Sequence, residues 1–226
     1  MNRWMGLFLI CAASLGLAAA GADPGGPAKP SPVPADRGAA TERYTPYTVG
    51  PKSSARYIVH ALNFFVPETV HGREGRISGE IRLFEGVSPT VTGILKIDPV
   101  TLKSGNTTRD GKVQDIVHAK DHPAIVFTLV SVDPFSMHLL DTSGVTVTAH
   151  GSLTVADASV PLNFPVFAVR SGGKHLHVEG MALTGFKDLK LQKPGMAFLV
   201  MMSDAIEAGA LIEADQTLKQ PGRAAP

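Results

Sequence analysis

The chain has 226 residues, 44% hydrophobic and 18% charged, enough apolar material for one well-filled domain with tails. Its 21 Lys and Arg nearly balance 20 Asp and Glu, which argues against a nucleic acid or an acidic membrane held by bulk charge. A single cysteine excludes a disulfide framework, so the core must hold the fold.

Residues 1–22 read as a signal peptide. Arg3 is its basic end, residues 7–17 are the apolar run, and Ala18-Ala19-Ala20 or Ala20-Gly21-Ala22 supplies small residues for cleavage. The run is too short for a comfortable membrane span. Cys11 lies inside it behind Ile10, where a lipidation signal wants a small residue. Cleavage removes Cys11, Trp4 and Arg3, leaving a formally neutral chain bound for the periplasm or full secretion. Residues 23–43 are Pro, Gly, Ala and Ser with almost no large apolar side chain, a disordered linker. The domain is expected over 44–219, with a disordered tail at 220–226.

Within the domain, period-two alternation predicts strand after strand. Ala55, Tyr57, Val59 and Ala61 alternate with Arg56, Ile58, His60 and Leu62; Ile77, Gly79, Ile81 and Leu83 alternate with Ser78, Glu80, Arg82 and Phe84. Leu95 and Ile97 follow Gly93. The cleanest run places Val145, Val147, Ala149, Gly151, Leu153 and Val155 on one face. Residues 162–169 are β-rich but contain Pro165, which marks an edge, a bulge or a strand end; such an edge leaves a homodimer open. Leu176, Val178, Gly180 and Ala182 give a further run, and residues 211–218 the last. The start of 195–209, from Met196 to Met202, fits a short helix or a strand.

Between these runs, residues 106–128 read as loop, short helix at about 110–120 and a strand begun by Pro123. Asp110 suits the helix start as a cap, and Val113, Ile116 and Val117 share one face. So small a helix cannot stand alone and is expected as a lid or plug on a sheet, with Arg109 pinning the loop to it or gating it. In the following strand Ile125, Phe127 and Leu129 point one way. Regular strands with one apolar face predict a mainly β fold, an antiparallel barrel of about eight strands. Gly79, Ala149, Gly151, Gly180 and Ala182 on that face either leave open space inside or permit close packing and bends.

Several segments together resemble the YceI family of exported bacterial proteins with a lipocalin-like barrel. The opening Tyr47-Thr48-Val49-Gly50-Pro51-Lys52-Ser53-Ser54 is similar to the family's start, and His71-Gly72-Arg73 through Ile81 to its second-strand pattern. Leu95-Lys96-Ile97-Asp98, Leu102, Asn106, Arg109-Asp110, Pro123 and Phe127 carry its strand, crossover and helix start. Gly151-Ser152-Leu153-Thr154-Val155 resembles a later strand. This chain departs from the pattern at Ala156-Asp157-Ala158, at Val117-His118-Ala119 and at Thr184-Gly185-Phe186-Lys187-Asp188.

The resemblance implies a carrier for an isoprenoid lipid, a polyprenyl or quinone tail, held in the barrel without further cofactor, nucleic acid or stable membrane insertion. The inward-facing wall would comprise Tyr57, Val59, Ile81, Leu83, Leu95, Ile97, Ile125, Phe127, Val147, Leu153 and Val178, with Phe64 and Phe65 at the mouth. The competing expectation is a solid barrel whose loops bind a partner in an interaction or stress-adaptor role.

Other constellations are weaker. His118 and His122 have helix-ligand spacing but no third ligand; His175 and His177 share a strand face with Glu179 beyond and His150 elsewhere, and exposed surface is the plainer reading. No Gly-x-Ser-x-Gly elbow occurs and the mature chain has no cysteine nucleophile, so no catalytic residues are expected. Asn106-Thr107-Thr108 matches a glycosylation sequon but reads as a turn.

Overall fold

The computed structural model describes residues 44–85, 89–194 and 200–217. The expected signal peptide, linker and tail, and the segment 195–199, lie outside the described residues. Among the described residues nine antiparallel strands form one sheet: β1 Tyr44–Val49, β2 Ser54–Asn63, β3 Val66–Phe84, β4 Thr90–Asp98, β5 Ile125–Asp133, β6 Val145–Val155, β7 Ala158–Ser171, β8 His175–Gly185 and β9 Val200–Gln216. Strands β2, β3, β4, β6 and β7 alternate more and less buried residues over much of their length because one face turns inward, whereas β5 is half-buried along most of its length.

The sheet closes through β3 and β4, which pair from Arg76↔Asp98 to Phe84↔Thr90. Closure removes the sheet edges that would otherwise invite intermolecular pairing. Strands β1 and β2 share one position, both lying between β3 and β9: β2 pairs with Val66–Arg76 of β3, and β1 with the Glu80–Phe84 end. Nine segments therefore make an eight-position barrel. At the break, residues 50–53, Glu213 on β9 lacks a ladder partner on the β1/β2 side. Gly50 N donates to Glu213 O (2.7 Å), and the Ser53 hydroxyl accepts from Glu213 N (2.9 Å) and donates to Glu213 O (3.1 Å). Both backbone groups of Glu213 are thus satisfied on that side without a strand.

Pro165 is no strand end: β7 pairs with β6 on both sides of it. Its other edge acquires β8 only from Val166 onward, so the missing N–H falls where no ladder bond is needed. The helix α1 spans Thr107–Ile116, starting before the expected position. Its cap is Asn106, whose side chain accepts from Arg109 N, not Asp110. Asp110 instead lies inside the first turn and accepts from Ser104 N (2.8 Å) and Ser104 Oγ (2.5 Å). A second helix, α2 Met137–Thr142, is not signalled by the sequence pattern; it is a short turn capped by Ser136 that buries Leu140.

Helix α2 closes the barrel end opposite α1 through a buried arginine. Arg170 on β7 donates from Nε to Asp141 Oδ1 (2.5 Å) and from Nη2 to Asp141 Oδ2 (2.7 Å), a bidentate pair. Its Nη1 donates to the Tyr47 hydroxyl (3.3 Å) and to Glu85 (3.2 Å), and Tyr47 donates to Gly173 O (2.9 Å). The cluster ties β1, β7, α2 and the residue after β3 into one plug. The bonds from Arg170 hold the Asp141 carboxyl below the usual carboxylate range.

A carboxyl whose pKa is depressed by folding stabilises the fold above its unfolded value, 3.8, and loses that contribution as pH falls through the lower folded value. Asp141→Ala leaves Arg170 short of its principal partner. The carboxylate is 40% exposed, so the expected cost is about 2 kcal/mol, below the range for a fully buried pair. Urea titration at neutral pH measures this, and the gap between wild type and variant should narrow as pH falls below about 4.

Candidate functional site

The barrel interior is not filled. A cavity of about 380 Å³ lies under α1, and a second of about 140 Å³ lies deeper toward α2. Ile97, Leu153, Ala208 and Gly209 line both, so the two adjoin across one neck. The deeper chamber is apolar throughout, walled by side chains such as Ile81, Leu95, Phe127, Val147 and Ile212. The upper one is apolar below and polar at its rim, where Arg56, Asn106, Thr108, Arg109 and Lys112 meet it.

Alternation along the strands explains which side chains face these spaces. Tyr57, Val59, Ile125 and Leu153 line the upper cavity; Ile81, Leu83, Leu95, Phe127, Val147, Leu153 and Val178 line the lower; Ile97 touches both. Phe64 and Phe65 are a correction: they line neither cavity and occupy the loop between β2 and β3, 63% and 82% exposed. Alternation stops at a hairpin loop, so it assigns no inward face there.

The small residues divide in their roles. At Gly79 an added Cβ would lie 2.0 Å from Ile94 O, and at Gly151 it would lie 2.4 Å from Thr128 O and 2.7 Å from the Phe127 ring. These two serve close packing, not open space. Room comes instead from alanines: Ala149, Ala182, Ala208 and Ala210 line the lower cavity, Ala208 also the neck. Gly72 has another task, because the Tyr57 ring occupies the place its side chain would take.

Helix α1 covers the upper cavity with Val113, Ile116 and Val117, the face read from their spacing. It is moored by Arg109, which donates to Glu68 Oε1 of β3 (2.9 Å), to Ser104 Oγ (3.0 Å) and to Ser104 O (3.3 Å). The preceding loop also pairs with β3: Arg73 and Lys103 exchange backbone bonds of 2.9 and 2.8 Å. Across the rim, burial pushes the Tyr57 phenol upward, assisted by Asp110 and opposed by Arg109. Thr184 also lines the chamber, but its hydroxyl is shut away from the open space. Thr184 Oγ1, on a residue 8% exposed, has no hydrogen-bond partner among the described residues. Sequence alternation placed its neighbours Ala182 and Gly180 inward and stopped two residues short of it.

The histidines gather elsewhere. His175 bonds Asp215 (2.9 Å) and Glu213 (2.7 Å), and His177 bonds Glu213 (2.8 Å), across the β8–β9 ladder. Their partners are therefore β9 carboxylates: Glu179 pairs with Arg56 and His150 with Asn163. His122 meets Asp157. Among the described residues no group of three or more His, Cys, Asp or Glu is arranged to hold a metal ion.

A profile described as the YceI-like domain matches residues 47–214. The chain belongs to the YceI-like family. Among solved structures, this YceI-like domain is similar to Burkholderia cenocepacia BcnA (TM-score 0.55, 16% identity, covering 72% of this chain and 96% of that one). It is also similar to a polyisoprenoid binding domain from Saccharophagus degradans implicated in plant cell wall breakdown (TM-score 0.60, 13% identity, covering 76% and 98%). At these identities the likeness is one of fold. No curated protein matches this YceI-like chain. Among its described residues no helix is long and apolar enough to cross a membrane.

The moorings of α1 differ in strength. The Glu68–Arg109 pair is partly exposed on both sides, so Glu68→Ala is expected to cost about 0.5 kcal/mol. Asp110 is buried and bonds Ser104 twice, so Asp110→Ala is expected to cost about 2 kcal/mol. Hydrogen exchange of the 107–116 amides should rise more in the second variant than in the first.

Proposed function

We propose that this domain is a carrier that holds the chain of one isoprenoid lipid, a polyprenyl or quinone tail, in its two adjoining cavities and performs no bond chemistry on it. The observation that carries the reading is an apolar hollow inside a closed barrel, with charged side chains confined to one rim. The upper chamber alone lies within the usual size range of small-molecule sites. A flexible hydrocarbon gains about 0.8 kcal/mol for each CH₂ withdrawn from water, so an extended chain needs no charged anchor to bind tightly. Likeness in fold to a domain described as polyisoprenoid-binding supports the same class of guest. The leader pattern at residues 1–22 supports a periplasmic or secreted site of action.

In this reading the tail occupies the lower chamber, and the polar end of the lipid lies under α1. There Asn106, Arg109 and Lys112 of the rim supply the polar surroundings.

Native mass spectrometry of protein purified from the exporting host, followed by lipid extraction, tests the reading. One isoprenoid per chain is expected; a lipid-free protein or ordinary phospholipid alone overturns it. Two variants probe the geometry. Ala208→Phe obstructs the neck, so it should abolish binding of long chains while short ones still enter the upper chamber. Thr184→Val keeps the volume and removes a buried hydroxyl that has no partner among the described residues, so the Tm should hold or rise, as a thermal melt measures.

A further inference from the structure

We propose that the β2–β3 hairpin tip is a docking finger for a lipid bilayer, which sets the mouth of the upper cavity against the membrane; this rests on the carrier reading. The tip is a two-residue loop, Phe64-Phe65, between paired Asn63 and Val66. Both loop residues have positive φ, 49° and 67°. That is the type I′ pattern, which Asn-Gly adopts readily and bulky side chains resist. Two phenylalanines there are locally unfavourable, and they are also among the most exposed large apolar residues described. Strain and exposure at the same two positions, with no packing gained in return, mark a surface kept for an outside partner.

The apolar character extends around the tip. Val66 is 63% exposed, and Leu62 and its cross-strand partner Met201 on β9 are 38% and 55% exposed. A protein partner usually meets an apolar centre within a polar rim on one face. A finger apolar on both of its flanks suits a medium that surrounds it, the hydrocarbon margin of a bilayer. The position fits as well. Val59 and Met202 line the upper cavity, and the tip lies five residues beyond Val59, roughly 15 Å at the usual strand rise. Lys112 at the cavity rim makes no ion pair among the described residues and suits an anionic lipid head. Docking would let an isoprenoid pass between bilayer and barrel without crossing water.

The test uses protein from the exporting host and vesicles of phosphatidylethanolamine and phosphatidylglycerol. Wild type is expected to float with the vesicles, and Phe64→Asn/Phe65→Gly to partition at least about tenfold less. Since Asn-Gly suits this turn, the variant should keep or raise its Tm, which separates lost docking from lost folding. In Phe65→Trp, tryptophan emission should shift to the blue on vesicle addition. Equal flotation of wild type and the double variant, or no shift, overturns the proposal. So does a wild type that ignores vesicles but forms a dimer that the double variant dissociates; the finger would then be a self-association contact. Loading with a polyprenol added from ethanol without vesicles is measured separately. Equal loading with unequal flotation supports the finger, whereas no loading by either protein overturns the carrier reading and leaves flotation to judge docking alone.

Discussion

The pairing of β3 with β4 is the constraint on which the hollow depends. It joins the ends of a long sheet, and it runs unbroken from Arg76↔Asp98 to Phe84↔Thr90. Gly79 lies within it, so close to Ile94 that any side chain would force the strands apart. Once closed, the sheet has a fixed circumference, and the inward residues must fill it or leave room. Large residues such as Ile81, Leu95 and Phe127 fill part of it, and alanines on β6, β8 and β9 leave the remainder. The cavity follows from a mismatch between circumference and side-chain volume, so a few alanine-to-aromatic changes would produce a solid barrel of the same topology.

The two ends are held by different means. Toward α2, the bidentate Arg170–Asp141 pair and the fully buried Tyr47 form a plug in which several elements share one cation. Opening it would strand a buried charge, which costs several kcal/mol. Toward α1, the cover is a short polar helix moored at its first turn by Ser104, Glu68 and the Arg73–Lys103 bridge. The Asp110–Ser104 bonds are buried, but the Glu68–Arg109 pair that ties the helix to β3 is partly exposed, and such contacts belong to the low end of local stability. In the proposed carrier role a guest would exchange past α1, the end that carries both the polar rim and the protruding hairpin.

Much of this was legible from alternation. The inward residues Tyr57, Val59, Leu95, Ile97, Phe127, Val147 and Leu153 follow period two because a barrel wall has one dry face, although a bulge after Leu129 makes Val132 the next inward residue of β5. What escaped was set by contacts remote in sequence. Asn106 and Asp110 are both plausible caps, and only the nearness of Ser104 decides between them. Arg170 sits in a strand pattern as an ordinary charged residue until α2 brings Asp141 to it. The histidines His175 and His177 found Glu213 and Asp215 across a ladder whose register no local pattern encodes. The start of β3, residues 66–70, does not read as a strand because Val66, Pro67 and Glu68 break the alternation, and the inward face then slips by one residue between Gly72 and Gly75.

Phe64 and Phe65 fall outside that logic, and their placement bears on a problem every lipid carrier meets. About fifteen buried methylenes at about 0.8 kcal/mol each give on the order of 12 kcal/mol, an affinity near the nanomolar range before losses. Since association rates vary little among such complexes, affinity of that size is expressed as slow release. The slow step is exposure of the chain to water, and it is the same for any carrier that releases into solvent. A barrel that opens only when its mouth adjoins a hydrocarbon phase avoids that exposure. The strained, exposed aromatic pair five residues beyond Val59, on the same side as the loosely moored helix, is the arrangement such an exchange requires.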